Sequence, residues 1–214
     1  MRVVIAGGHG QIALLLERLL ADRGDTPVGL VRNPDHTDDV AAAGAEPVVL
    51  DLEHAEVDEL ADVLEGADAV VFAAGGGPNS GAARKETVDR GAAVLLARSA
   101  EKAGVRRYVM VSAMGTDNAD PDSDEVFQVY LRAKAAADED LRARDLDWTI
   151  VRPGLLTDDP ATGRVQVGLL GRGQVTRADV ATVLAELLVT DSTIGTTFDL
   201  LGGQQTVQAA LAGL

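Results

Sequence analysis

The sequence predicts an α/β fold built on a doubly wound parallel sheet, formed by one domain over residues 1–214. Short apolar runs alternate with helical patterns almost throughout, which is typical of βαβ units. Most of these runs are apolar at every position, as strands covered by helices on both faces are. A chain of 214 residues is long enough for one large core and short for two domains.

The predicted strands are the runs richest in apolar and β-branched residues. They cover residues 2–6, 27–31, 46–51, 68–74, 106–113, 147–153 and 196–201, with a weaker strand-like stretch at 164–170. Since βαβ crossovers are right-handed, these strands should form a sheet whose carboxyl ends open into a nucleotide-binding crevice.

The predicted helices lie between the strands. They cover residues 11–23, 37–43, 56–65, 81–103, 125–144, 178–190 and 204–212. The region from about residue 155 to 214 is expected to form a small extension on the substrate side of the crevice.

The charge of the chain excludes several partners. A net charge of −15 repels phosphate backbones and anionic lipids, so neither nucleic acid nor a membrane is expected as a partner. The absence of cysteine, of an apolar span and of an export signal is typical of a cytoplasmic protein. The acids are mainly aspartate and there are only three lysines, which indicates either adaptation to a high-salt cytosol or the arginine bias of a GC-rich genome.

A glycine turn follows the first strand and opens the first helix. Gly7 and Gly10 would let the backbone approach a pyrophosphate, and Ala13 would let the helix pack closely on the strand. The backbone amides of the next positions could donate to the phosphates; they belong to His9, Gln11 and Ile12. The glycines also fit a second register, Gly8-x-Gly10-x-x-Ala13. Both registers predict dinucleotide binding; the alternative is a tight turn without a ligand.

The end of the second strand predicts NADP as the cofactor. An NAD site usually carries an acid there, but this strand ends in Arg32 and Asn33. A guanidinium can bind the 2′-phosphate of NADP through paired hydrogen bonds. An exposed arginine without a ligand is the alternative.

The ends of the third and fourth strands supply further candidate cofactor contacts. Asp51 and Leu52 are placed to meet the adenine ring; the alternatives are that Asp51 caps a helix and that these segments are ordinary turns. Small residues that would let the cofactor pass close to the backbone are Ala73, Ala74 and Gly75.

Tyr130 and Lys134 are four residues apart, so on a helix their side chains share one face. With two tyrosines and three lysines in the chain, chance pairs at this spacing are rare. The spacing therefore predicts a functional pair; the alternative is a lysine that only holds the cofactor ribose beside a structural tyrosine.

The chain resembles the short-chain dehydrogenase/reductase superfamily, in particular its small atypical NAD(P)-binding branch of sugar epimerase-like and NmrA-like proteins. The markers are the glycine turn, "VRNP" (31–34), "VMVSAMG" (109–115), "YLRAK" (130–134), "LDWTIVRPGLLT" (146–157) and "VTRADVATVLAELL" (175–188). They cover nearly the full length and imply a Rossmann-like fold.

The resemblance also implies catalytic roles. Ser112 would polarise a substrate carbonyl, Tyr130 would transfer the proton, and Lys134 would bind the nicotinamide ribose and lower the pKa of Tyr130. Asp89 stands where the enzymes usually have asparagine. It would either preserve a proton relay or hold Lys134 in an ion pair. The segment beside the nicotinamide corresponds to Pro153, Gly154 and Leu155.

No metal site is expected. Asp120, Asp122 and Asp124 alternate like the opening of a calcium loop, but Glu125 and Leu131 stand where that loop needs glycine and glutamate. The three histidines lack partners at ligand spacing.

Three functions fit these observations. The first is an NADP-dependent oxidoreductase that reduces a small carbonyl or conjugated compound. The second is a non-catalytic NADP(H)-binding sensor of the NmrA-like kind, and the third, less favoured because only about 60 residues follow Gly154, is a nucleotide-sugar epimerase or dehydratase. The expected partners are NADP(H) and a small-molecule substrate, and the protein is expected to be a monomer or a homodimer.

Overall fold

The computed structural model describes residues 1–77 and 80–214 and forms a nine-stranded sheet with helices on both faces. The strands of the described residues are β1 (Arg2–Ala6), β2 (Thr26–Val31), β3 (Glu46–Val49), β4 (Ala69–Phe72), β5 (Arg107–Val111), β6 (Asp147–Pro153), β7 (Leu155–Thr157), β8 (Arg164–Gly168), β9 (Gln174–Thr176), β10 (Thr196–Gly202) and β11 (Gln205–Thr206). Of these, β7 and β9 form a separate two-stranded sheet, and the other strands form the large sheet. The doubly wound fold predicted from the sequence is confirmed.

The sheet is mostly parallel. The strands β3-β2-β1-β4-β5-β6-β10 run parallel in that order, and β8 and β11 extend the sheet beyond β10 in antiparallel pairs. The chain reverses its direction of travel across the sheet between β1 and β4, and the crevice opens above that point.

The helices lie between the strands at nearly the predicted positions. They are α1 (Gln11–Arg23), α2 (Thr37–Ala42), α3 (Val57–Val63), α4 (Ala82–Arg84), α5 (Ala93–Ala103), α6 (Val126–Arg142), α7 (Arg177–Leu187) and α8 (Val207–Leu211), and short 3-10 turns cover Pro34–His36, Thr116–Asn118 and Asp191–Thr193. In the described part of the chain, no helix is long and apolar enough to cross a membrane.

Two apolar layers hold the helices on the sheet. Successive residues of β1 serve opposite layers: Ile5 packs with Leu16 and the layer under α1, α7 and α8, whereas Val4 packs with Phe72 and the layer under α3, α5 and α6. Burial on both faces explains why the strands are apolar at every position.

The structure departs from the prediction in the segment 81–103. In place of one helix, α4 is followed by a π-helical segment over Lys85–Ala92 and then by α5. The wider segment contains two buried charged residues, Lys85 and Asp89, which both contact the loop after β4. A pattern of apolar residues does not distinguish a π-helix from an α-helix, so the sequence could not show this change.

The small parallel pair β7 and β9 was also not predicted. Each strand has three residues, too few for a periodic pattern, and the two strands are far apart in the chain. The pair begins at Leu155, directly after β6, and holds the C-terminal region against the carboxyl end of that strand.

Candidate cofactor and catalytic site

The glycine turn forms a tight passage at the carboxyl end of β1. Gly7 has a φ of +84°, and a Cβ there would lie 2.7 Å from Cα of Ala74. The Gly10 amide donates to the Gly7 carbonyl at 2.8 Å, and α1 begins directly after Gly10. Within residues 1–77 and 80–214, no side chain caps this end of α1. The first amides of the helix are thus available to an anion.

The structure favours the register that starts at Gly7. The left-handed residue of the turn is Gly7, and Ala13 is fully buried between α1 and the sheet. Gly8 has a different task, because a Cβ there would lie 2.7 Å from Cα of Gly29 in β2. Gly8 therefore serves the contact between two strands.

Glu17 is buried directly below this contact. A Cβ on Gly29 would lie 2.6 Å from its Oε1, and neither carboxylate oxygen has a hydrogen-bond partner among the described residues. Burial raises the pKa of Glu17 to about 8, against a small opposing effect of Arg18. Glu17 is therefore mainly protonated at neutral pH.

Two arginines meet beyond the carboxyl end of β2, where the sequence predicts the adenosine half of the cofactor. This part of the crevice is called the adenosine end. Nη1 of Arg32 lies 3.0 Å from Oε2 of Glu53, and Nη2 of Arg84 lies 3.1 Å from the same oxygen. The Thr87 hydroxyl donates to the other oxygen of Glu53 at 2.6 Å. Burial raises the pKa of Glu53, but the bonds from Thr87 and Arg84 outweigh it, so the net pKa is lowered. Arg32 is still half exposed.

Several other side chains near this end bond to neighbouring residues of the protein. Asn33 accepts a hydrogen bond from the Asp35 amide, and Asp51 accepts bonds from the Glu53 amide and the His54 ring. The His9 ring stacks on His36, with centroids 3.6 Å apart, and bonds Asp39. The Asp51 side chain thus holds the turn after β3, and its contact with adenine stays a prediction.

The remaining predicted backbone contacts line the same crevice. Gln11 and Ile12 form the first turn of α1, and Leu52 packs half-buried on the apolar layer below β4. The end of β4 passes the glycine turn, where the lining residues are Ala73, Ala74 and Gly75.

The predicted catalytic residues lie in another part of the crevice, which is called the catalytic end. It contains a buried ion pair. Lys134 is 3% exposed; its Nζ donates to the Val111 carbonyl at 2.9 Å and lies 3.7 Å from Oδ1 of Asp89. The other Asp89 oxygen accepts the Gly76 amide at 3.0 Å. Burial lowers the pKa of Lys134 and the charge of Asp89 opposes that effect. Of the two roles predicted for Asp89, the structure therefore shows the ion pair with Lys134.

Tyr130 lies one helical turn before Lys134. Burial raises its pKa, and the charges of Asp89 and Asp138 raise it further. The three effects that dominate this pKa are thus burial and the charges of two carboxylates, and the lowering of the pKa by Lys134 stays a prediction. Tyr130 is therefore held protonated.

Ser112 follows β5 and is buried near α6. Its hydroxyl lies near the Asp138 carboxylate but makes no well-formed hydrogen bond to the described residues. Nη2 of Arg152 lies 3.0 Å from Asp138, and Arg152 also binds both carboxylate oxygens of Asp117. Burial raises the pKa of Asp138, partly offset by Ser112 and Arg152.

The segment Pro153–Leu155 leaves β6 under close contact from the C-terminal region. A Cβ on Gly154 would lie 2.5 Å from the Gly173 carbonyl oxygen, and the Gly154 amide donates to Leu200 at 3.0 Å. Leu155 is 71% exposed. The backbone therefore has a fixed course here while the Leu155 side chain is open to a ligand.

The structure brings the predicted residues together along one crevice and adds residues that the sequence did not indicate. The added residues with charged side chains are Glu53, Arg84, Lys85, Asp138 and Arg152. Asp138 stands four positions after Lys134, so the helical spacing could have indicated it. Across residues 1–77 and 80–214, no group of three potential ligands is placed to hold a metal ion.

Comparison with known proteins gives consistent matches. The NAD(P)H-binding family model matches residues 7–191. A Bacillus subtilis protein named as the uncharacterized sugar epimerase YhfK is 36% identical over 216 residues, covering 100% of both chains. A solved structure from Bacillus halodurans, provisionally named an NAD-dependent epimerase/dehydratase, has a TM-score of 0.92 at 38% identity and covers 100% of both chains. The oxidoreductase ylbE from Lactococcus lactis has a TM-score of 0.88 at 28% identity, covering 100% of this chain and 96% of its own.

Proposed function

The chain belongs to the NAD(P)H-binding family, in the atypical group of the short-chain dehydrogenase/reductase superfamily, and from this premise we propose that it is an NADP-dependent reductase of a small carbonyl or conjugated compound. The observation that carries the proposal is geometric: Tyr130 lies one helical turn before Lys134 on α6, and Lys134 is buried beside Asp89.

The crevice fits a dinucleotide cofactor. Gly7 lets the backbone of the turn pass close to Ala74, where a Cβ would clash, and so gives the turn the tight course that a pyrophosphate site needs. The uncapped amides at the start of α1 would hold the pyrophosphate. Arg32 would hold the 2′-phosphate by leaving Glu53, which keeps Arg84 and Thr87 as partners.

The bound cofactor supplies the hydride. Tyr130 then donates its phenolic proton to the substrate oxygen, which turns a carbonyl into an alcohol. The ammonium group of Lys134 stabilises the resulting tyrosinate until solvent returns the proton, and Asp89 holds Lys134 in place. The phenol of Tyr130 is in its acid form at neutral pH, as a proton donor must be.

A nucleotide-sugar epimerase is the least favoured candidate, since only about 60 residues follow Gly154. The small C-terminal region offers little surface for a nucleotide-sugar.

A binding protein without catalysis is the second candidate. Its support is that Ser112 and Lys134 are both nearly inaccessible, with exposures of 4% and 3%. A sensor would use the crevice to bind NADP(H) and leave the catalytic set closed.

NADPH oxidation against a panel of carbonyls, quinones and flavins tests the proposal. We expect Tyr130→Phe to lower kcat by about 100-fold or more without changing the Kd for NADPH. The matched control is Tyr108→Phe, since Tyr108 is buried in the core and bonds the Ala93 carbonyl.

Two results would contradict it. Turnover that survives Tyr130→Phe unchanged would remove the proposed proton donor. Tight NADPH binding without turnover of any compound would favour the sensor.

A further inference from the structure

Lys85 is a second ammonium group at the catalytic end of the crevice. It opens the π-helical segment and is 5% exposed. Its Nζ donates to the Gly77 carbonyl at 2.6 Å and lies 5.3 Å from the centroid of the Tyr130 ring. The charge of Lys85 therefore lies directly beside the proposed proton donor.

Lys85 differs from the other two lysines in its partners. Lys102 pairs with Asp58, and Lys134 lies near Asp89. Within residues 1–77 and 80–214, no carboxylate oxygen lies within 4 Å of Lys85 Nζ. An ammonium group has three donors, and one carbonyl and one ring face do not satisfy them.

Burial of an ammonium group costs free energy unless hydrogen-bond acceptors or an opposite charge replace the lost water. The chain carries 34 acidic residues against 19 basic ones, so a carboxylate could easily stand beside Lys85. Repulsion between the ammonium groups of Lys85 and Lys134 adds to this cost. Burial is the main effect that lowers the pKa of Lys134, Asp89 and Asp138 oppose it, and the charge of Lys85 lowers that pKa further. Among residues 1–77 and 80–214, Lys85 thus keeps donor capacity that an anion from outside the chain could accept.

An exposed aromatic ring lies on another side of Tyr130. Phe127 is 62% exposed and its ring centroid is 6.1 Å from that of Tyr130, with the planes tilted by 31°. Phe127 lies one helical turn before Tyr130 on α6 and offers an apolar face to a flat ligand.

We propose that Lys85 binds an anionic group of the substrate and that the reductase accepts planar conjugated carbonyl compounds that carry a carboxylate. The carboxylate bonds Lys85, the conjugated plane lies against Phe127, and the carbonyl oxygen faces Tyr130. This inference rests on the proposed function, because it assigns the substrate class of that same site.

A matched pair of probes tests the inference. 4-Carboxybenzaldehyde and its methyl ester carry the same reducible carbonyl and differ in the negative charge. Binding of each is measured by calorimetry in the presence of NADP⁺, where no reduction occurs, and kcat/KM is measured with NADPH. We expect the wild-type protein to prefer the acid by about tenfold or more in both measurements.

The variants separate charge from packing. Lys85→Met keeps most of the apolar stem and should remove the preference, whereas Lys85→Arg keeps the charge and should retain most of it. Lys102→Met, which removes an exposed lysine, is the control and should leave the preference unchanged.

The outcomes distinguish this inference from the proposed function. Binding of the acid that depends on Lys85, without any turnover, would support the inference and contradict the reductase. An acid-to-ester ratio that Lys85→Met leaves unchanged would overturn the inference while turnover still supported the reductase. Failure of the wild-type protein to bind the acid at millimolar concentration would also overturn it. So would a Lys85→Met variant whose only defect is a weaker affinity for NADPH.

Discussion

The two ends of the crevice hold their charged groups in opposite ways. At the adenosine end, Arg32 and Arg84 share Glu53 near the surface, where Arg32 is half exposed. At the catalytic end, Lys134 and Asp89 are almost completely buried. An exposed ion pair contributes little net stability and can exchange partners, whereas a buried one is fixed because neither charge can return to water. The first end is thus suited to capture a phosphate and the second to hold reacting groups in place.

The largest expected effect follows from burial at the catalytic end. Arg152→Met would remove the arginine that bonds the buried Asp138 and leave only Arg142, at 3.9 Å, near that carboxylate; we expect the free energy of unfolding to fall by about 3 kcal/mol. Urea denaturation at pH 7 measures this effect.

A matched arginine sharpens the test. Arg106 also binds two aspartates, Asp145 and Asp147, but at the surface. Arg106→Met should change the free energy of unfolding very little. Equal losses for the two variants would show that burial does not separate the two kinds of pair.

Glu17, below the glycine turn between the two ends, predicts an intermediate effect. Its pKa of about 8 in the folded protein is above the ordinary 4.5, so its contribution to stability is complete below pH 4.5 and is lost as the pH rises through 8. Relative to Glu17→Gln, the wild-type protein should lose roughly 2 to 4 kcal/mol between pH 5 and 8.5.

Unfolding of both proteins across this pH range measures the difference. Glu65→Gln, which changes an exposed acid, is the control. Parallel pH curves for wild type and Glu17→Gln would mean that Glu17 finds a partner or solvent in the folded protein.

The smallest expected effect lies at the adenosine end. Arg32→Met should raise the Kd for NADPH by about tenfold and leave the Kd for NADH unchanged, because only NADPH carries the 2′-phosphate. Fluorescence titration with each cofactor measures the ratio, with the exposed Arg18→Met as control. Equal losses for both cofactors would place the 2′-phosphate elsewhere.

The sequence predicted the sheet and most of the helices because continuous burial leaves a continuous apolar pattern. It also placed Lys134 and Asp89 in one site, since spacing on α6 and resemblance to a family both indicated them. An ion pair between residues far apart in the chain leaves no local pattern in the sequence. Examples are the pairs of Glu53 with Arg32 and with Arg84.

The electrostatic state of Tyr130 could not be predicted for a related reason. Its pKa depends on burial and on two carboxylates, Asp89 from the π-helical segment and Asp138 from two turns further along α6. The sequence shows that these residues exist but not that both face the phenol. The prediction from Lys134 therefore left out burial and the two carboxylates, which dominate the pKa of Tyr130.

The π-helical segment has a consequence for how the protein could be altered. Arg84 and Lys85 are neighbours in the chain, yet one contacts the adenosine end and the other contacts Tyr130. A π-helix holds one more residue per turn than an α-helix, so deletion of one residue after Asp89 and before Ala93 would favour a regular α-helix. The residues before the deletion would then change their position relative to α5. Deletion of a single codon would therefore displace Arg84 and Lys85 together, without altering either residue.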